Sequence, residues 1–290
     1  MLFEKEILKN KRVGVCACDA GGSNYILSFI NALEISPILL LEGPAKDILP
    51  RKKRYTNKNK FIEDVDLVIT GTSWSSNLEK EILHRCGENN IYTISILDHW
   101  VNFLDRFILN DRLILPDELI FFDLDAYQQG EKEFQNYLNK IKLSLTENYY
   151  LKELSAFNTG SIIRHTNKIL FIDEPISGHY ENRVNEFQFL KEFLEYKKTS
   201  DLKIYDINIR LHPSSKYGKY REIINSFSEV KELNKGNHLI ADLYSYPIII
   251  GIESMALAIA HKLNLETYTL NKEVNQNLLP FNIPMIYEQF

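Results

Sequence analysis

The 290-residue sequence is short of several things, and each shortage removes a class of function. Cysteine occurs only as Cys16, Cys18 and Cys86, an odd and sparse set. One residue separates the first two, and no second pair exists to complete a zinc site. Buried, reduced thiols in a cytoplasmic protein are the expectation. No run reaches the about 18 apolar residues that a membrane-spanning helix requires. The first residues, MLFEKEILKNKR, are charged and lack the long apolar core of a secretory signal. Positive charge is not in excess either. A formal net charge of -5 argues against a nucleic-acid binder driven by phosphate neutralisation. The one basic cluster, RKKRYTNKNK at 51–60, reads as a solvated loop or as a patch for an anionic substrate or inner-leaflet headgroups. There is no G-x-G-x-x-G fingerprint, no P-loop lysine, no internal repeat and no low-complexity tract.

What is present is periodic. At 44% hydrophobic and 25% charged, the chain has the composition of a globular protein of one large or two small domains. Short apolar runs alternate with helical patterns. RVGVCAC, SPILLLEG, DLVITGTS, IYTISILDHW and DELIFFD read as strands in the first half. NYILSFINALE, NLEKEILHRCGENN and a long amphipathic stretch near 127–142 read as helices. The second half repeats the habit. KILFIDEP, KIYDINIRLHP, 247–251 and a last strand near ETYTL alternate with helices in NEFQFLKEFLEYKKT, YREIINSFSEV and 253–263. Buried runs separated by helices imply parallel sheets with crossovers. The expected fold is α/β, with two doubly wound, Rossmann-like domains facing a cleft. The junction falls near 155–166, giving one domain at 1–160 and a second at 161–290.

Nearly every polar cluster falls at the carboxyl end of an expected strand, where such sheets bind ligands. The first holds Asp19, Gly21, Gly22 and Ser23. Glycines let a backbone approach a ligand, and the following helix start favours an anion. Asp19 is either a general base or the cap of that helix. In TGTSWSSNLEK, Thr72, Ser73, Ser75 and Ser76 suit phosphate or sugar oxygens; the plain alternative is a serine cap with Glu79 in the first turn. In LDHWVNFLDRF, Asp98 and His99 precede Trp100, Asn102 and Arg106, a charge, an imidazole and a flat apolar face. Trp100 and Phe103 are otherwise simply core. IRLHPSS sets Arg210, His212, Ser214 and Ser215 at a strand end broken by Pro213. IIIGIESMALAIAH sets Gly251, Glu253 and Ser254 at a helix start, as an anion site or as caps.

His-Pro followed some forty residues later by Gly-x-x-Ser resembles the carboxyl-terminal halves of GT-B-type glycosyltransferases that use phosphate-activated sugars. Bacterial sialyl-, polysialyl- and Kdo-transferases and poly-glycerolphosphate polymerases share the pattern. The resemblance implies that His212 and Ser254 contact the donor phosphate. The stretches DAGGSN, EGPA, GTSWSSNLEK, LDHWVNF and LPDEL resemble bacterial surface-polysaccharide proteins of glycan-assembly loci. Ile-Glu-Ser stands where several of those families carry Gln/Ser-Ser/Thr runs, a departure that leaves the nucleotide open.

The expectation drawn from both is an inverting transferase that moves a glycosyl group to a growing glycan or lipid-linked acceptor, in O-antigen, capsule or other surface polysaccharide synthesis. It would work in the cytoplasm, with peripheral contact at the inner membrane. Asp19 or Asp98 is the base. His212, Ser214, Ser215, Gly251, Glu253 and Ser254 hold the donor phosphate. Gly21, Gly22, Ser23, Thr72, Ser73, His99, Trp100, Asn102, Arg106 and Arg210 line the substrate site. The donor is a nucleotide sugar or phosphoribosyl pyrophosphate, the latter installing ribofuranose. No Asp-x-Asp metal triad occurs, since DLDAY at 123–127 reads as the start of a helix. Magnesium would enter only with a pyrophosphate donor. A sugar-nucleotide epimerase and a non-catalytic assembly partner are the rivals.

Overall fold

Apolar runs of four or five residues, too short for buried helices and flanked by polar loops, become the central strands of parallel sheets. The computed structural model describes residues 2–49, 54–74, 76–100, 102–158, 160, 162–176, 185–234, 236–272 and 282–290. Ser75 and residues 51–53 of the basic cluster lie outside them. The chain divides into two compact units, Met1–Glu153 and Leu154–Phe290.

The first unit runs β1 (Val13–Ala17), α1 (Ala20–Ala32), β2 (Ile38–Leu41), α2 (Ala45–Ile48), β3 (Arg54–Tyr55), α3 (Lys58–Glu63), β4 (Leu67–Thr70) and α4 (Leu78–Glu88). It continues through β5 (Tyr92–Ile96), a short antiparallel pair β6 (Ile108–Leu109) and β7 (Arg112–Leu113), β8 (Glu118–Phe121), α5 (Leu124–Glu133), β9 (Lys142–Leu145) and α6 (Tyr149–Ser155). Seven strands form one parallel sheet in the order β3-β2-β1-β4-β5-β8-β9. The strands β1, β2, β4 and β8 are buried along their whole length, which is why they read as continuous apolar runs.

The second unit holds β10 (Lys168–Ile172), α7 (Glu186–Lys197), β11 (Asp206–Arg210), α8 (Arg221–Ser226), β12 (Val230–Glu232), α9 (Leu239–Ser245), β13 (Ile248–Gly251), α10 (Met255–Lys262) and β14 (Thr267–Thr269). Its five parallel strands run β12-β11-β10-β13-β14. Both sheets therefore start in the middle, wind outward to one edge, then return and wind to the other. This is the doubly wound, Rossmann-like order, with a reversal between β1 and β4 and between β10 and β13.

Two expectations are corrected. The stretch near 127–142 is not one helix: α5 ends at Glu133, a 3₁₀ turn covers Gln135–Tyr137, and the chain then enters strand β9. The strand KLSL was hidden by the helical period before it. Likewise the tail of YREIINSFSEV is not helical, because Val230 begins the edge strand β12.

The core follows from the pattern. Cys16, Leu40, Phe61, Val68, Ile82 and Cys86 pack between β1, β2, β4 and the helices α3 and α4. Phe171, Leu190, Phe193, Ile207, Ile209 and Ile250 form the corresponding layer of the second unit. All three cysteines are free and buried. Helix α5 packs on β8 through a glycine: a Cβ on Gly130 would overlap the Phe121 ring, with Cε1 only 2.7 Å away. Gly130→Ala is therefore expected to destabilise by about 1–3 kcal/mol through overpacking. In an open helix the same change would add up to about 1 kcal/mol. A urea midpoint at or above that of the parent would refute the close packing.

Candidate functional site

In a doubly wound sheet the loops part where the strand order reverses, here between β1 and β4. Here the loop after β1, the loop after β4 and the loop after β5 bring Asp19, Glu79, Asp98 and Arg106 together. Glu79 is the second residue of α4 and only 2% exposed. Its carboxylate accepts the Cys18 N–H at 3.1 Å through Oε1 and the Ser73 N–H at 2.6 Å through Oε2. One side chain thus binds the backbones of two loops. Gly71 admits it, since a Cβ there would lie 2.7 Å from Glu79 Oε1.

Asp19 caps α1, accepting the Gly22 N–H at 2.9 Å, and is hydrogen-bonded by the Ser73 hydroxyl. Asp98 accepts from Thr72 Oγ1 at 3.3 Å. A Cβ on Gly21 would overlap Asp98 Oδ2, and one on Gly22 would lie 3.1 Å from Asp19 Oδ1 and 3.5 Å from Gly71 Cα. The glycines were expected to admit a ligand. What they admit is carboxylates and a second loop.

Charge is crowded here. Burial, then the negative charge of Asp19, pushes Asp98 up to about 7, against the opposing pull of Arg106 and Thr72. Burial raises Asp19 as well, although the Gly22 N–H, Arg106 and Ser73 draw it down. Glu79 is pushed well up by burial and by Asp19, against its two backbone hydrogen bonds and with Asp98 adding to the rise. Three buried carboxyls that raise one another do not all ionise at neutral pH. Arg106 is itself buried and donates to the Thr72 carbonyl at 2.9 Å. His99 is lowered to about 3 by burial and by Arg106, so it stays neutral. Its Nδ1 accepts the Trp100 N–H at 3.1 Å, which assigns the ring proton to Nε2.

Several expected substrate contacts have structural work instead. Ser23 is fully buried and its hydroxyl donates back to the Asp19 carbonyl. Trp100 is 5% exposed, with its indole N–H on Asp123 Oδ2 at 2.7 Å, so its face is core rather than an open sugar platform. Asp123 meanwhile caps α5 through the Ala126 N–H, as the DLDAY reading expected. Asn102 occupies the left-handed region at φ 56°, which asparagine tolerates better than most residues.

In the second unit the expected phosphate residues sit around the loops after β11 and β13. His212 Nδ1 pairs with Ser214 Oγ at 2.7 Å and accepts the Ser214 N–H at 3.2 Å, which places the ring proton on Nε2. Asp173, at the end of β10, braces this turn. It accepts the His212 N–H at 3.0 Å, Lys219 Nζ at 2.8 Å and the Tyr220 hydroxyl at 2.6 Å. Burial would raise Asp173, but the bonds from Lys219, Ser215, Tyr220 and His212 outweigh it and hold the carboxyl below its ordinary value. Ser254 caps α10 by accepting the Leu257 N–H at 3.2 Å, an arrangement that leaves its hydroxyl proton to donate. Gly251 makes room for Leu257, whose methyls lie 3.2 Å and 3.3 Å from where a Cβ would stand.

Two further placements depart from a phosphate grip. Glu253 donates its N–H to Glu174 Oε2 at 2.8 Å and accepts Asn271 Nδ2 at 2.7 Å, so its carboxylate faces other protein groups. Arg210 is ion-paired with Asp242 and donates to the Asn237 carbonyl. Glu174 is pushed up to about 7 by burial, opposed by the Glu253 N–H and reinforced by the Glu253 carboxylate.

The strand-end pattern does not single out Asp173, Glu174 or Lys219, and it gives Glu79 only as a first-turn residue of a serine-capped helix. Asp173 and Glu174 carried a signal, two carboxylates closing the strand KILFIDEP. Glu79 carried a misleading one, since Ser76-x-x-Glu79 imitates a capping box while its carboxylate reaches two other loops. Lys219 carried none. Among the described residues no group of three or more His, Cys, Asp or Glu side chains is arranged to hold a metal ion.

No family model matches the chain, and no curated protein matches it in sequence. Solved structures match it in fold. UDP-GlcNAc 2-epimerase from Neisseria meningitidis, bound to UDP-GlcNAc, aligns at TM-score 0.62 and 11% identity over 91% of this chain and 84% of that one. The Methanocaldococcus jannaschii UDP-GlcNAc 2-epimerase aligns at 0.59 and 13%, over 90% and 85%. An alpha/beta-galactoside alpha-2,3-sialyltransferase from Photobacterium phosphoreum aligns at 0.57 and 13%, over 97% and 100%. The fold class is therefore α/β of GT-B type, with two Rossmann-like domains.

The crowding of carboxyls makes a testable demand. Asp98 rises from 3.8 to about 7 on folding, so between those values the native state holds a proton that the unfolded state has lost. Stability contributed by that proton is lost as pH rises toward 7. Asp98→Asn is isosteric and removes the titration. Its melting temperature should gain on the parent as pH goes from 5 to 8, by on the order of 2 kcal/mol in stability. A difference that stays flat with pH would show that Asp98 is not the raised group.

Proposed function

We propose that the protein is an inverting glycosyltransferase that moves a sugar from a nucleotide-sugar donor to a hydroxyl of a growing bacterial surface glycan. The single observation that carries the reading is Asp98, a buried carboxyl poised near neutral pH at the switch point of the first sheet. A general base works best with a pKa near the working pH. Asp98 would take the proton of the acceptor hydroxyl as that oxygen attacks the anomeric carbon. The bond from that carbon to the donor phosphate oxygen breaks, and the departing phosphate takes the electron pair. His212 Nε2–H, the Ser254 hydroxyl and the start of α10 would meet the negative charge. Asp19 is committed to capping α1, which favours Asp98 as the base. Glu253 and Arg210 are left out of the phosphate contacts.

The fold neighbours support a nucleotide donor, because the Neisseria meningitidis epimerase is bound to UDP-GlcNAc. A phosphoribosyl pyrophosphate donor is the finer variant. Work on the cytoplasmic face of a membrane, on a lipid-linked acceptor, belongs to the same reading; no helix among the described residues is long and apolar enough to cross a membrane. The second reading is a sugar-nucleotide epimerase, favoured by the two epimerase neighbours. It needs no acceptor, so turnover of donor alone separates the two.

Thermal shifts against UDP, CMP, CDP, GDP and phosphoribosyl pyrophosphate, each with and without magnesium, are expected to single out one nucleotide. A shift only with phosphoribosyl pyrophosphate would replace the donor, and no shift with any would remove the enzyme reading. Asp98→Ala should lower kcat by roughly 100-fold or more while the protein stays folded. The parent's kcat/KM should climb with pH and level off above about 7, since the ionised form of Asp98 is the active one. Full activity in Asp98→Ala would refute this base.

A further inference from the structure

The loop after β4 holds a residue that neither the strand-end pattern nor the base argument uses. Trp74 keeps 48% of its surface exposed, while the other tryptophan, Trp100, keeps 5%. An indole left half in water forgoes burial that a core position would supply, and such a ring beside a polar site is a contact surface in waiting. Trp74 is tied to that site. The residues just before it, Thr72 and Ser73, donate to Asp98 and Glu79. The Arg106 guanidinium lies 6.0 Å from the Trp74 ring centroid and donates to the Thr72 carbonyl. The same positive charge acts on Asp19, Asp98 and His99. One arginine therefore connects an exposed aromatic plate with a cluster of buried acids.

A flat apolar plate beside carboxylates and hydroxyls complements a pyranose. Such a sugar offers a face of C–H groups to the negative π surface and a rim of hydroxyls that donate to carboxylates. A nucleobase would stack as well, but the phosphate it carries would meet three acidic side chains, with the Arg106 charge already set against two of them. The surroundings select an uncharged sugar. We propose that Trp74 is the acceptor platform, stacking the terminal pyranose of the glycan so that one hydroxyl is offered to the Asp19–Asp98 cluster.

The inference rests on the transferase reading, yet its test uses no donor. Methyl galactoside, methyl glucoside, methyl mannoside and N-acetylglucosamine are titrated into the full-length protein while tryptophan emission is followed. At least one should quench and blue-shift the exposed component that Trp74 contributes, and UDP should not. Trp74→Ala should weaken that sugar by roughly tenfold or more in calorimetry without changing Tm, and Trp74→Phe should recover part of the loss. The idea is overturned if none of the four sugars changes the emission, if UDP changes it as strongly, or if Trp74→Ala binds the sugar like the parent. Failure here leaves the donor screen and the Asp98 variants standing, and failure there leaves the sugar titration standing.

Discussion

The carboxylate of Glu79 holds the first unit's site together. A doubly wound sheet parts its loops where the strand order reverses, and something must join them again if they are to present a fixed surface. Glu79 does so by accepting one N–H from the end of β1 and one from the loop after β4. Burying a carboxylate for this purpose is costly, and the cost falls partly on its neighbours, because its charge and those of Asp19 and Asp98 oppose one another. The same electrostatic opposition gives Asp98 its affinity for a proton. Architecture and chemistry here have one origin.

The second unit solves the same problem with different residues. Asp173 ties the end of β10 to the turn after β11, and Glu174 ties it to the loop after β13. In both units a buried acid accepts backbone N–H groups from an adjacent loop, which satisfies donors that a parallel sheet leaves at its carboxyl edge. The difference lies in the countercharge. Asp173 is answered by Lys219 and falls below its ordinary value, whereas in the first unit Arg106 acts on Asp19 and Asp98 and all three carboxyls still rise. The first arrangement braces a histidine turn; the second leaves its carboxyls holding protons more tightly than usual.

Much of the fold was legible because buried parallel strands announce themselves as short apolar runs: VGVCA, ILLL, LVIT and KILFI needed no partner to be recognised. The edge strands β9 and β12 were not legible, since KLSL and VKE carry mixed character and follow helical periods. The candidate site was legible as a grouping of residues: Asp19, Asp98, Thr72, Ser73 and Arg106 meet beyond the carboxyl ends of β1, β4 and β5. Their individual roles were not, because hydrogen-bond direction is invisible in a one-dimensional pattern. Trp100 looked like a sugar platform until its indole was found against Asp123, while Trp74, a few positions after the same kind of strand end, was read past as part of a serine-rich turn. Glu79 imitated a capping box and turned out to face two other loops.

Gly21 has a consequence that reaches beyond its own position. The space where its side chain would stand is filled by an oxygen of Asp98. A genetic screen would therefore score this glycine as indispensable, and a reader of that screen would place a ligand against it. The lesion would in truth be a phenocopy: any bulk there displaces a neighbour's carboxylate, so two positions 77 residues apart in the chain behave as a single inherited unit.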